Sequence, residues 1–120
     1  PYDREEKQEL MNELLDKPDL GRLWKIEVEG VSAGYLALMF SFSFEYGGVL
    51  GVIDELFLRK SFRNRGLGKK ILLFVENKAW ELGIKSLLLE VENHNETGNR
   101  LYSHMGYTGK ARSLLIKKLG

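Results

Sequence analysis

Six basic side chains, Arg59, Lys60, Arg63, Arg65, Lys69 and Lys70, fall within twelve positions, and Gly66 and Gly68 lie among them. Cations interleaved with glycines suit an anion, because glycine lets a ligand reach backbone amides without meeting a Cβ and the cations add full charge. The stretch that follows carries Ile71, Leu72, Val75, Ala79 and Leu82 on one helical stripe and stops at Gly83. The first amides of such a helix have no intrahelical partners, and its dipole places partial positive charge there. The turn is no P-loop, since position 63 is Arg rather than Gly and no Ser or Thr follows Lys69. It is no dinucleotide fingerprint either, because position 71 is Ile. A pyrophosphate such as that of CoA remains the candidate ligand; the plainer alternative is a tight turn with solvated cations.

The elements that must hold this turn are legible from periodicity. Residues 3–16 carry Leu10, Met11, Leu14 and Leu15 at helical spacing, followed by a break at Asp16-Lys17-Pro18-Asp19. Trp24 to Val28 reads as a strand, Glu29-Gly30 as a turn, and Ala33 to Phe44 as a longer strand with Leu36, Leu38, Phe40, Phe42 and Phe44 on one face. Glu45-Tyr46-Gly47-Gly48 supplies the hairpin connection to an antiparallel strand, Val49 to Arg59. Beyond the helix, Ser86 to Val91 reads as a strand covered on both faces, completing a right-handed βαβ unit. Asn93 or Asn95 can cap a last helix reaching Met105, with Gly106 at its end, and Tyr107 onward predicts two short strands ending near Leu119.

Bulk properties bound the answer. The chain of 120 residues is 43% hydrophobic and 29% charged, as ordinary globular proteins are, so one compact domain over residues 1–120 is expected. Eighteen basic against seventeen acidic residues give a net charge of +1, which argues against nucleic acid as the main partner. With no cysteine, a disulfide framework and a thiolate site are excluded. No apolar run approaches the ~20 residues of a membrane span and no leader is evident, so no membrane partner is expected and a cytoplasmic location is the default expectation. His94 and His104 lack a third ligand, and no metal site is expected.

Arg63-x-x-Gly66-x-Gly68 resembles the acetyl-CoA signature of the GNAT (Gcn5-related N-acetyltransferase) family, and it follows a strand, Ile53 to Leu58, where that family has one. Downstream, Asn95 and Leu101-Tyr102-Ser103-His104-Met105-Gly106-Tyr107 resemble the family's Asn and Leu-Tyr-x-x-x-Gly-Phe pattern. The resemblance covers roughly residues 20 to 120. It implies an α/β (α+β) fold: a central mixed, mostly antiparallel sheet flanked by helices and splayed between the fourth and fifth family strands. The resemblance also leads one to expect a first family strand ahead of the first helix, and none is read in this sequence. It further implies acetyl-CoA as co-substrate, with the pantetheine arm along Phe57 and Leu58. By the same resemblance the pyrophosphate lies on Arg63, Arg65, Gly66, Leu67, Gly68, Lys69 and Lys70, Asn95 touches the arm, and Tyr102 is the acid.

A phenol has a reference pKa of about 10, yet a departing thiolate benefits from a nearby donor. The plainer role for Tyr102 is a half-buried side chain bonding backbone. A base is also needed, because an alkylamine of pKa near 10.4 is free base to only about one part in a few thousand at pH 7, a penalty of roughly 4 to 5 kcal/mol. Asp54, Glu55 and Glu90 are the candidates. Strict strand alternation sends Asp54 and Glu55 to opposite faces, and Glu55 is favoured over Asp54. The adjacent carboxylates resemble the acidic pair of diamine-acetylating members, which brings in cationic amines; solvated charges are the alternative. The resulting expectation is direct acetyl transfer to a primary amine, on a small cationic molecule or a protein, in a ternary complex. The competing class is a CoA-binding sensor or partner-binding module without catalysis. The acceptor is not readable from the sequence, nor is the oligomeric state, although the apolar strand 36–44 would tolerate a homodimer partner.

Overall fold

The computed structural model describes residues 4–92, 94–109 and 113–120. The chain divides into two compact units, residues 1–90 and 91–120. In the first, helix α1 (Arg4–Leu15) precedes strands β1 (Gly21–Val28), β2 (Val31–Ser43) and β3 (Gly48–Leu58); helix α2 (Leu67–Glu81) and strand β4 (Ser86–Leu89) follow. The sheet order is β1-β2-β3-β4. The first two pairings are antiparallel and β3 with β4 is parallel, so the sheet is mixed and mostly antiparallel, as the resemblance implies. Two tight turns close the meander: Glu29 and Gly30 take φ of 51° and 78°, and Gly47 takes 77°. A parallel β3–β4 pair needs a crossover, which α2 provides.

The core of this unit is aliphatic. Ala33, Leu36 and Leu38 of β2 and Leu72 and Val75 of α2 are fully buried, with Leu50, Ile53, Ile71, Ala79 and Ile84 nearly so. Each buried Leu or Val contributes about 1.5–3 kcal/mol relative to exposure. Trp24 of β1 meets Phe74 of α2 edge-on at 5.4 Å. Trp80 is 83% exposed, because it lies off the helical stripe of Leu72, Val75 and Ala79. The Phe stripe of β2 also fades outward. Leu36 and Leu38 are buried, Phe40 is half-buried, and Phe42 and Phe44 are exposed. The cause is ladder length: Phe42 pairs with Val49, ahead of the first β3–β4 pair at Leu50 and Ser86, so the hairpin tip extends beyond the sheet's third pairing.

Strand β4 is shorter than read and half-buried throughout rather than covered on both faces. The second unit contains helix α3 (Glu96–His104), capped by Asn95, whose side chain accepts from the Gly98 amide at 2.9 Å. Among the described residues the two terminal strands do not form. Residues 107–109 and 113–120 carry no regular structure, and Leu114, Leu115, Ile116 and Leu119 are exposed. Strand preference is mostly the fit of a side chain to a pleated, half-buried surface, and among the described residues this segment has no ladder neighbour to supply one. The stretch 110–112 lies outside the described residues.

Candidate active site

The strand-to-helix turn has the backbone that its glycines predict. A single 3-10 turn over Lys60–Phe62 leaves β3, Asn64 takes a left-handed φ of 62°, and Gly66 takes φ 76° as the residue before α2. A non-glycine residue at 66 would be strained there, although a Cβ would meet nothing within 4 Å. No side chain caps the start of α2, and no acidic residue occupies its first turn. Arg65, Gly66, Lys69 and Lys70 are exposed, while Leu67 and Gly68 are half-buried. The Arg65 guanidinium lies over the Phe62 ring at 5.2 Å. Arg63 is spent differently: its Nε donates to the Leu58 carbonyl at 2.9 Å, tying the turn to the end of β3. The turn thus offers uncapped amides at a positive dipole end, flanked by exposed cations and open to approach, which suits a phosphate group.

The strand leading into this turn changes character midway. Ladder pairs with β4 run from Leu50↔Ser86 to Ile53↔Leu89 and stop, so residues 55–58 pair with β2 alone. At the same place the β2–β3 register slips: Leu38 pairs with Ile53 but Ala37 with Glu55, leaving Asp54 without a Cα partner. Neighbours Ala37 and Leu38 lie on opposite faces, so Ile53 and Glu55 do too, although they are two apart. The bulge breaks strict alternation between Ile53 and Glu55. Asp54 is exposed, whereas Glu55 is half-buried on the face that carries Tyr35.

Two side chains that sequence reasoning missed converge on Glu55. Tyr35 Oη and Lys7 Nζ each donate to Glu55 Oε1 at 2.5 Å. The Lys7 ammonium also stands 5.2 Å from the centroid of the Tyr35 ring, and Tyr35 packs on Phe57 at 5.5 Å. Burial and the bond to Glu55 push the Tyr35 phenol up to about 12, so it stays a donor at neutral pH. The signal for Tyr35 lay in its β2 position across from Phe57, and that for Lys7 in its i, i+4, i+7 spacing with Met11 and Leu14, the half-buried side of α1. Neither can be read without the register.

In the second unit, Asn95 serves as the α3 cap, and Asn99 Nδ2 donates to the carbonyls of Asn95 and Glu92. Tyr102 is half-buried, 6.1 Å edge-on from Tyr107, and burial pushes its phenol up. An open hollow lined by Glu92, His94, Asn95, Glu96 and Thr97 surrounds the cap. Its lining is exposed, and among the described residues no group of three His, Cys, Asp or Glu side chains could hold a metal ion.

Residues 1–107 match the sequence profile described as Acetyltransferase (GNAT) family. An uncharacterized N-acetyltransferase of Lactobacillus delbrueckii subsp. lactis is 39% identical over 85 residues, 69% of this chain and 49% of that protein. A crystal structure of an integron cassette protein from the mobile metagenome of Cole Harbour Salt Marsh superposes with a TM-score of 0.81 at 38% identity, covering 93% of this chain and 68% of that one. An aminoglycoside N-acetyltransferase solved in complex with CoA shares the fold, with a TM-score of 0.73 at 18% identity over 98% of this chain and 93% of the other. The chain belongs to the GNAT acetyltransferase family. It spans 32% to 54% of the length of the curated relatives it matches. Among the described residues no helix is long and apolar enough to cross a membrane.

Proposed function

We propose that the chain carries the cofactor turn and the reacting groups of an acetyl-CoA-dependent N-acetyltransferase acting on a primary amine, the amine attacking directly while both substrates are bound. The observation that carries this reading is the run from β3 into α2, where the β4 ladder stops at Ile53 and the uncapped helix start follows within the same segment. Acetyl-CoA would supply an activated acyl carbon and a thiol leaving group. The amides of residues 65–70 hold its pyrophosphate, with Arg65, Lys69 and Lys70 adding charge. Arg63 supports that turn through the Leu58 carbonyl. Backbone of Phe57 and Leu58, in the half of β3 without a β4 partner, takes the pantetheine arm.

Glu55 is the carboxylate that takes a proton from the acceptor's ammonium so that the neutral amine can attack, with Asp54 the alternative at the bulge. Tyr102 is the acid. With its phenol raised above the reference of about 10, it stays protonated at neutral pH, and it serves a thiolate of reference pKa about 8.5 chiefly as a hydrogen-bond donor. The acceptor belongs to the broad class of primary amines, small cationic molecules and protein amines among them. Replacing Tyr102 by Phe should leave acetyl-CoA affinity within about twofold and cut turnover by roughly 10²-fold, read by thiol release against a panel of amines. Unchanged turnover would remove the acid role. Binding without thiol release from any amine in the unsubstituted protein would favour a CoA sensor.

A further inference from the structure

The Lys7–Glu55 ion pair sits oddly for a helix so lightly anchored. No side chain of α1 is fully buried, yet the Lys7 side chain is only 19% exposed and that of Glu55 31%. Lysine is seldom buried, and its four-carbon stem readily carries the charge out to water. Here the charge turns inward, onto a carboxylate oxygen and over an aromatic face backed by a second ring. A carboxylate plus an aromatic face is the chemistry that recognises an ammonium group. We propose that Glu55, Tyr35 and Phe57 form a seat for the ammonium of the acceptor, and that Lys7 is a tethered plug filling that seat, so the acceptor must displace α1's lysine to bind. This rests on the acceptor-facing role of Glu55 given above.

The physical argument is competition. A tethered ammonium has an effective concentration of order millimolar, so a free amine gains the seat only for the fraction of time the lysine is out. Apparent affinity falls by that same fraction. Displacement costs little packing, because α1 contributes no fully buried residue. Tyr35 is a positioning residue, since its hydroxyl holds the carboxylate oxygen that the ammonium faces.

The test uses n-pentylammonium chloride, which has a primary ammonium on a short alkyl chain, with n-pentanol as the uncharged control. Binding is followed by the ring resonances of Tyr35 and Phe57. Lys7→Met should bind n-pentylammonium about tenfold more tightly than the unsubstituted protein, and n-pentanol should leave both rings unmoved. Lys7→Gln should behave as Lys7→Met. In the unsubstituted protein, saturating n-pentylammonium should also shift the backbone amides of α1 as Lys7 leaves. Equal affinity with and without Lys7, equal shifts from n-pentanol, or an unmoved α1 would each overturn the proposal. Acetyl-CoA titrated into the same samples separates the two readings. If it fails to bind while n-pentylammonium still prefers Lys7→Met, the enzymatic role falls and the seat stands.

Discussion

The two halves of β3 do different work with one backbone. From Gly48 to Ile53 the strand's ladder with β4 begins at Leu50, and Leu50 and Ile53 are buried. From Asp54 to Leu58 only Glu55 to Leu58 pair, with β2 alone, no side chain is fully buried, and the carboxylates gather there. The change occurs at one extra residue. A bulge costs ladder pairing and returns a re-aimed side chain and an open edge, which is why the first half specifies the fold and the second is available for chemistry. The contrast predicts that substitutions before Asp54 act on stability and those after it on activity.

The largest effect should be at Glu55. Glu55→Gln should lower turnover by about 10²–10⁴-fold, the usual worth of a positioned proton acceptor, while shifting unfolding free energy by no more than about 1 kcal/mol. A large stability loss with intact turnover would erase the distinction between the halves. Two residues earlier, Ile53→Ala should destabilise by about 2–5 kcal/mol in denaturant unfolding. Acetyl-CoA affinity of the folded fraction should be preserved. A stability change below about 0.5 kcal/mol would show that the inner half is not the core it appears from burial.

The smallest effect sharpens the comparison through pH. Tyr35 has its folded phenol raised from about 10 to about 12, so the stability it contributes is complete below pH 10 and lost as pH climbs toward 12. Ultraviolet titration of the folded protein should show one of its five tyrosines ionising near pH 12, and Tyr35→Phe should delete that late step. Loss of an early step instead would mean that the Glu55 bond and its burial do not persist in solution.

Most elements of the fold were legible because periodicity and turn residues agree locally: the α2 stripe with Gly83, the 29–30 turn and the Asn95 cap all form where read. The glycine turn ahead of α2 was legible for the same reason, its glycines and cations being contiguous. The Lys7–Tyr35–Glu55 cluster was not, because it joins residues 48 and 20 positions apart through a register that one bulge resets. Period-two reasoning would put Ile53 and Glu55 on one face; the unpaired Asp54 puts them on two. The tail failed for a different reason, since apolar residues such as Leu114 and Ile116 form a strand only beside a neighbour.

The central claim, that the turn into α2 binds acetyl-CoA through its backbone, is tested most directly by calorimetric titration of acetyl-CoA into the unsubstituted protein and Gly66→Val. Residue 66 takes a left-handed φ of 76°, where a β-branched side chain is strained and its Cβ would stand in the open approach. Saturable binding that weakens by about tenfold or more in Gly66→Val is the predicted result. No binding to the unsubstituted protein, or equal affinity in the variant, would contradict the account.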